Sequence, residues 1–543
     1  MSKTTMASLE EIQNFSGKYP KQLWGLFFSE MWERFCFYGM RGVLTYFMIT
    51  HLVLEGGGHM SDGQANLQYG ATQAFVYAFT FIGGLFADKI LGFRKSLFWG
   101  GLLMIVGSCI LAFDPFPESN FFLGISFTVI GTGFFKPNIS TMVGSLYKQG
   151  DPRRDAGFSL FYSGINIGAL LGGYACISIG KGELFSSFIP AEYTWNVAFG
   201  LAGIVMAISL ITFTFTQKTL GPIGLPPFRS QNDRERTVKH LESIETVKPD
   251  DTAPVTVIVK SGKAWYEYAV YALTLVLIPV IMTMVAKTEY TDYFMYIIGP
   301  ATLVYLGYEM TKHTWEESKK LIAALVFIVF SIIFWAFFEQ SGGSLSIFAA
   351  KNLDHVVAGV LTLDPNGVNN AANSVFVIIF APIVGLVWIA LAKRKIEPNT
   401  VIKFGLGFLF LAGGFYTFYT TRFFEVVAGS GIASLDVFVV AYFVITFGEL
   451  CLSPIGLSIM TKLSPQRLQG VMMGMWFLAS AYGQYAAGIL GAGLSEGGEN
   501  DSLPQKLATY TDGYYQLAIY ALIAGIVLIA ISPLVRKLMG DVK

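Results

Sequence analysis

Charged residues are scarce in this 543-residue chain: only 14% of the residues are Asp, Glu, Lys or Arg, whereas 53% are hydrophobic. Acidic and basic residues both number 37, so the net charge gives no sign of a nucleic-acid or acidic partner. The mean hydropathy of +0.54 is too high for a soluble protein with a large core. The composition therefore indicates a polytopic membrane protein.

Cysteine and histidine are also rare. The four cysteines lie inside apolar segments, which is typical of small buried hydrophobic residues rather than of disulfides or metal sites. The five histidines lie in loops or at the ends of apolar segments, so we expect carboxylates to carry protons instead. The residues concerned are Cys36, Cys109, Cys176 and Cys451, and His51, His59, His240, His313 and His355.

Fourteen apolar segments, each bounded by Gly, Pro or charge clusters, predict an all-α fold that crosses the membrane repeatedly. Since the first 20 residues are polar and carry charges of both signs, we expect no cleavable signal peptide. The predicted spans are residues 22–53, 66–88, 95–113, 119–147, 156–179, 195–216, 264–286, 291–312, 319–348, 371–392, 400–421, 434–461, 468–494 and 514–537.

Basic residues gather in alternate loops between these spans. Lys89, Arg94 and Lys95 follow the second span, and Arg153 and Arg154 follow the fourth. The intervening loops carry mainly acidic residues instead. The positive-inside rule then predicts that both termini are cytoplasmic, which agrees with an even number of spans. We expect a multi-pass protein of the cell inner (plasma) membrane.

One long polar segment divides the chain. Residues 217–263 predict a cytoplasmic linker that follows an N-terminal six-helix bundle at residues 22–216. After the linker, residues 264–312 predict an inserted two-helix hairpin, and residues 319–537 predict a C-terminal six-helix bundle. Two bundles of six helices are typical of many secondary transporters. We expect a peripheral, structural role for the hairpin.

Four charged residues interrupt the first predicted span. Each costs roughly 2.5–3.5 kcal/mol at the centre of a membrane. At about 100° per residue they fall on or beside one narrow stripe of the helix, which must face protein or water. The stripe is either a structural ion-pair cluster that locks helices together or part of an ion and substrate pathway. It comprises Glu30, Arg34, Phe37 and Arg41, flanked by Glu33 and Tyr38.

Several motifs resemble those of a known family. Residues 84–95 resemble the loop motif of the major facilitator superfamily, with one extra residue before the second glycine. Residues 30–39 resemble the Glu-x-x-Glu-Arg-Phe-x-Tyr-Tyr-Gly signature of the proton-dependent oligopeptide transporter (POT) family, with Phe37 in place of the first Tyr. Further motifs of that family follow in order at residues 131–138, 161–168, 337–340, 449–457 and 476–477. The resemblance implies a prokaryotic POT with a major-facilitator fold of two six-helix bundles and two extra transmembrane helices.

The resemblance further implies a symporter that imports di- and tripeptides by alternating access, driven by the inward proton gradient. A peptide zwitterion needs a cation for its carboxylate and an anion for its amine. By resemblance, Arg41 and Lys136 face the carboxylate and Glu449 takes the amine. Asn166 and Asn373 would hydrogen-bond the peptide backbone. The residues expected to shape side-chain pockets are Tyr38, Tyr77, Tyr162, Trp476 and Ser480.

The resemblance also implies where protons and gates act. An acid that loses its cation to the peptide carboxylate would take up a proton. Arg41 and Glu339 would form a gate that breaks on protonation. Pro137 and Pro454 can bend helices beside charged residues and are candidate gating positions, whereas Ser374 stands where the family has a proline. The residues expected to couple protons are Glu30, Glu33, Arg34, Lys136 and Glu339.

Other functions remain open at this point. The same fold could carry another small substrate, such as nitrate or a peptide-like drug, although Glu449 favours a cargo with an amine. An intramembrane enzyme would need a metal or nucleophile cluster that the sequence lacks, and the asymmetric charges of the two bundles argue against a channel. We expect no metal and no cofactor besides coupling protons, no nucleic-acid partner, and a chain that works as a monomer in the lipid bilayer.

Overall fold

The structure is a computed structural model that describes residues 8–113, 117–148, 151, 153–226, 265–452, 456–465, 468–495, 501–540 and 542. Two of the sequence predictions fall outside these residues. One is the part of the predicted linker (residues 217–263) that follows residue 226. The other is the gating role of Pro454.

The described residues are almost entirely helical. Two very short strands, β1 (Val356–Val357) and β2 (Leu361–Thr362), pair antiparallel between α11 and α12. The helices are α1 (Leu9–Gln13), α2 (Lys21–Thr50), α3 (Asp62–Phe86), α4 (Phe93–Phe113), α5 (Glu118–Ser145), α6 (Arg153–Gly180), α7 (Thr194–Thr216), α8 (Trp265–Ala286), α9 (Thr288–Met310), α10 (Trp315–Phe338), α11 (Ser344–Asn352), α12 (Pro365–Lys393), α13 (Thr400–Thr420), α14 (Leu435–Leu452), α15 (Gly456–Leu463), α16 (Gln469–Leu494) and α17 (Leu503–Met539).

Helix boundaries differ from the predicted spans where local chemistry breaks or extends a helix. The predicted span at residues 319–348 is split, because a short 3-10 turn at Glu339–Gly342 and the Gly342–Gly343 pair separate α10 from α11. Helix α17 begins eleven residues before the predicted span at 514–537, since Ser502 and Gln505 form a capping box there.

The motif at residues 84–95 forms a tight connection between α3 and α4. Residues Ala87–Leu91 form a π-helical turn, in which each hydrogen bond spans five residues instead of the four of an α-helix. The wider turn accommodates the extra residue of the motif. Gly92 follows with a φ of +74°, which glycine adopts readily. Arg94 then donates to the carbonyl oxygens of Ile223 and Gly221, which ties the connection to the segment after α7.

Buried apolar side chains form two large clusters. One is built from α1–α8, and the other from the end of α9 together with α10–α17. We call the helices α1–α7 the first half and the helices α10–α17 the second half. The division into a bundle, linker, hairpin and bundle stays a prediction, although these two clusters agree with two bundles.

The helices α8 and α9 contact both halves. Lys95 on α4 forms an ion pair with the buried Glu267 of α8, which attaches α8 to the first half. Tyr482 on α16 donates to the Met295 carbonyl of α9, and Tyr485 donates to Asp292 at 2.5 Å. The hairpin therefore bridges the boundary between the halves.

Ten helical segments within the described residues are long and apolar enough to cross a membrane. Large exposed apolar side chains cover their outer faces, for example Ile204, Val276 and Val329, as expected for surfaces that meet lipid. The protein is therefore a multi-pass membrane protein. The count of fourteen spans and the cytoplasmic placement of the termini stay predictions.

Candidate functional site

A polar cavity of about 270 Å³ lies between the two halves. Helices α2, α3, α5 and α6 line it from the first half, and α10, α12 and α14 from the second. The lining residues are Glu30, Arg34, Tyr38, Arg41, Tyr77, Lys136, Ser140, Tyr162, Ile165, Asn166, Trp335, Phe338, Glu339, Ser341, Asn369, Asn370, Asn373, Ser374, Tyr442 and Glu449.

The charges of α2 form a buried triad at one wall of the cavity. Arg34 Nε lies 2.9 Å from Glu30 Oε1 and 2.6 Å from Glu33 Oε2, and all three side chains are almost fully buried. The pair Glu30–Arg34 is one helical turn apart, which places the two side chains on the same face. Glu30 and Arg34 reach the cavity, whereas Glu33 lies behind them. Two carboxylates therefore share one guanidinium.

Lys136 projects into the cavity from α5. Its Nζ atom lies 4.2 Å from the centre of the Tyr77 ring and 5.9 Å from that of Phe37. Aromatic faces stabilise an ammonium group without neutralising it. Lys136 forms no ion pair in the part of the chain that the structure describes.

Arg41 joins the first half to the second. Its Nη2 atom forms an ion pair with Glu339 at the end of α10 and lies 3.3 Å from Ser341 Oγ. Its Nε atom donates to the Tyr69 hydroxyl at 2.6 Å. The two charged side chains are mostly buried, with 13% of Arg41 and 4% of Glu339 exposed. This contact therefore ties the two halves together at the wall of the cavity.

Glu449 lines the cavity from α14 of the second half. Its carboxylate accepts a hydrogen bond from Asn373 Nδ2 at 2.9 Å and a long one from the Tyr162 hydroxyl at 3.4 Å. Asn166, one turn from Tyr162 on α6, donates to the Tyr162 carbonyl at 3.0 Å. The carboxylate is thus oriented by neutral groups and has no cationic partner among the described residues.

The charges that line the cavity are unequally matched. Glu30 pairs with Arg34, and Glu339 pairs with Arg41. Within the described residues, this leaves one cation, Lys136, and one anion, Glu449, that line the cavity without an ion pair. The site can therefore hold a small molecule that carries both a negative and a positive group.

Four predicted site residues do not line the cavity. Trp476 and Ser480 are buried in α16, where the Ser480 hydroxyl donates to the Trp476 carbonyl at 3.3 Å. Pro137 lies within the continuous α5, next to Lys136. Glu33 lies behind the lining and contacts Arg34, as described above.

The halves are tied together at the end where α2 and α6 finish and α3 and α12 begin, called here the closed end. Lys351 of the second half lies 2.6 Å from Asp62 of the first. Lys181, directly after α6, forms an ion pair with Asp364 at the start of α12. The α3 and α16 backbones also touch, because a Cβ atom at Gly70 would lie 2.7 Å from Gly488 Cα.

Comparison with known proteins identifies the family. The family model described as PTR2, POT family, matches residues 94–501. The chain belongs to the POT family. It is accordingly a transporter rather than an enzyme, as the sequence predicted. The chain is 34% identical to the peptide transporter YePEPT of Yersinia enterocolitica and 30% identical to the di-/tripeptide transporter of Lactococcus lactis. The Yersinia match covers 96% of this chain and 96% of the Yersinia protein. The Lactococcus match covers 99% of this chain and 100% of the Lactococcus protein.

Solved structures agree with the assignment. A crystal structure of a peptide transporter POT in complex with sulfate is 31% identical, covers 98% of this chain and 99% of that chain, and has a TM-score of 0.74. A bacterial homologue of the human drug peptide transporters PepT1 and PepT2 is 26% identical, covers 95% of this chain and 99% of that chain, and has a TM-score of 0.77. The fold of this chain is therefore the POT fold.

Several residues that line the cavity of this POT chain were not among the predicted ones. Asn369 and Asn370 of α12 are the clearest case, because together with Asn366 and the predicted Asn373 they follow the helical spacing of one face. That spacing in an apolar span was a usable signal. The contributions of Ser140, Ser341 and Tyr442 depend on how separate helices meet, which no local pattern reveals. The residues that sequence reasoning missed are Ser140, Ile165, Trp335, Phe338, Ser341, Asn369, Asn370, Ser374 and Tyr442.

Proposed function

We propose that this protein is a proton-coupled symporter that imports di- and tripeptides across the cell inner membrane by alternating access. The single observation that carries the proposal is the pair of unmatched opposite charges, Lys136 and Glu449, on the lining of one small cavity. The peptide cargo named for the Yersinia and Lactococcus relatives supports the same conclusion.

A short peptide matches this charge pattern. Its carboxylate would bind Lys136, and its ammonium group would bind the Glu449 carboxylate that Asn373 and Tyr162 orient. Each of these is a charge-assisted hydrogen bond, which is roughly twice as strong as a neutral one. Since every di- and tripeptide carries both terminal charges, such a site would bind the cargo without reading its side chains. A bare anion such as nitrate would leave Glu449 without a partner.

Proton coupling follows from the charge balance beside Lys136. Glu30, Glu33, Arg34 and Lys136 together are neutral when all are ionised. When a peptide carboxylate binds Lys136, the two acids share only Arg34 and carry one uncompensated negative charge. Glu30 Oε2 and Glu33 Oε1 are buried without a hydrogen-bond partner in the described structure, so an uncompensated charge there is costly. Uptake of one proton by this acid pair removes that cost, and peptide and proton then move together.

Alternating access would use the ties at the closed end. The Arg41–Glu339 ion pair would shut the cavity on that side. Protonation of Glu339 would remove the ion pair and let the halves separate there. We further propose that the chain acts as a monomer and uses no cofactor other than the coupling proton.

Uptake of labelled dialanine into liposomes that contain the purified protein tests this function. With an inward proton gradient we expect accumulation above equilibrium, abolished by an uncoupler and competed by excess trialanine but not by nitrate. Absence of dialanine uptake together with uptake of nitrate would keep the POT fold and refute the peptide assignment.

A further inference from the structure

Helix α12 carries four asparagines on one face: Asn366, Asn369, Asn370 and Asn373. The last three line the cavity. The side-chain amides of these three residues differ in how many of their polar atoms already form hydrogen bonds with other protein groups. An amide that is engaged at both ends positions other side chains, whereas one with a free polar atom can bind the cargo.

Asn369 and Asn373 are occupied at both ends of the amide. Asn369 Nδ2 donates to the Ser341 carbonyl at 2.8 Å, and its Oδ1 accepts from the Tyr442 hydroxyl at 2.6 Å. Asn373 Nδ2 donates to Glu449, while its Oδ1 lies 2.8 Å from the Thr446 hydroxyl. Both side chains therefore hold neighbouring groups in place.

Asn370 is occupied at one end only. Its Nδ2 donates to the Asn366 carbonyl at 2.9 Å. The reverse orientation of the amide would place two carbonyl oxygens against each other, so the hydrogen-bond pattern determines which atom is which. No described residue donates to Asn370 Oδ1, and the side chain is half-buried on the lining of the cavity.

Two glycines hold Asn370 in place. A Cβ atom at Gly42 of α2 would lie 3.1 Å from Asn370 Oδ1, and one at Gly173 of α6 would lie 3.1 Å from Asn370 Cβ. The side chain thus fits a groove between two helices of the first half, where a larger residue at either glycine would displace it. A polar atom held in a confined, partly dry position can select a donor at a defined place.

We propose that Asn370 Oδ1 accepts a hydrogen bond from the amide N–H of the bound peptide, and that Asn373 is a positioning residue for Glu449. The proposal rests on the proposed function. Asn370 and Asn373 are neighbours on one helix face, about 5–6 Å apart at their Cβ atoms. Three bonds separate the ammonium nitrogen of a dipeptide from its amide nitrogen, a distance of about 3 Å. A peptide whose ammonium group lies at Glu449 and whose chain runs toward Asn370 would bring its amide N–H within reach of Asn370 Oδ1.

The test compares two unlabelled competitors of labelled dialanine uptake, alanyl-glycine and alanyl-sarcosine, which differ only in the methyl group that replaces the hydrogen of the amide nitrogen in alanyl-sarcosine. In the unchanged protein, we expect methylation to weaken competition. In Asn370→Ala, we expect alanyl-glycine to compete about 3- to 10-fold less well, the size expected for one neutral hydrogen bond. The effect of methylation should shrink by the same factor.

The matched control is Asn373→Ala. It should weaken competition by both peptides equally and leave the methylation effect intact, because it acts on the ammonium group through Glu449. An unchanged methylation effect in Asn370→Ala would overturn the inference, as would the absence of such an effect in the unchanged protein. If Asn370→Ala does not fold, Asn370→Ser gives the same test, since its shorter hydroxyl cannot replace Oδ1. Failure of the unchanged protein to take up dialanine would instead refute the proposed function.

Discussion

Glu339→Gln is the substitution that most directly perturbs the closed end. Glu339 is the only carboxylate among the described residues that forms an ion pair with Arg41. Glutamine has nearly the same shape but no charge. The variant would therefore leave the Arg41 guanidinium mostly buried with neutral partners only, namely Tyr69, Ser341 and the new amide.

The expected magnitude follows from this burial. Removing one partner of a buried ion pair costs about 3–5 kcal/mol, because the remaining charge is left uncompensated. The three neutral acceptors reduce that cost, so we expect a value near the lower limit, about 3 kcal/mol. Since every 1.4 kcal/mol is a factor of ten, the ratio of closed to open protein should fall about a hundredfold.

The distribution of distances between two spin labels reports this ratio, because closed and open molecules contribute shorter and longer distances. Val53, after α2, and Val360, between β1 and β2, are exposed positions of the two halves at the closed end. Paired labels there should give mainly short distances in the unchanged protein and mainly longer ones in Glu339→Gln. Glu309→Gln is the matched control, because Glu309 pairs with Lys312 at the end of α9 and should leave the distances unchanged. Identical distance distributions in all three proteins would refute the role of the Arg41–Glu339 pair.

Three further predictions concern coupling, recognition and closure. Glu33→Gln should abolish accumulation of dialanine against a gradient while exchange of labelled for unlabelled dialanine continues; retained accumulation would contradict the coupling scheme. Glu449→Gln should weaken dialanine uptake by about 10-fold or more, the loss expected for a hydrogen bond between charged groups, and N-acetyl-dialanine should then compete as well as dialanine does. Gly70→Val should shift the same spin-label distances toward the open form, since its side chain would overlap Gly488; unchanged distances would show that α3 and α16 need not touch.

The sequence predicted the helices and the charged residues because those depend on local properties. Long apolar runs predict membrane helices whatever their neighbours are, and a charge such as Arg41 in an apolar run has to face protein or water. The family signature added the expected partners of Lys136 and Glu449. These predictions required no knowledge of how the helices pack.

The contacts between helices were beyond local reasoning. The free oxygen of Asn370 and the hydrogen bonds at both ends of the Asn373 amide depend on which side chains of α2, α6 and α14 reach them. The break at Glu339–Gly342 likewise follows from packing at the closed end, where Thr45 of α2 donates to the Gly342 carbonyl at 3.1 Å. The sequence motif that contains Glu339 did not show that the helix ends there.

The central claim is that peptide and proton cross the membrane together, and proton movement measured inside liposomes tests it most directly. Liposomes containing the protein, a pH-sensitive dye and equal pH on both sides would receive external dialanine with no imposed gradient. The account predicts that dialanine entry acidifies the lumen, that the acidification scales with peptide uptake, and that Glu33→Gln abolishes it. Dialanine entry at the normal rate without acidification would contradict the account.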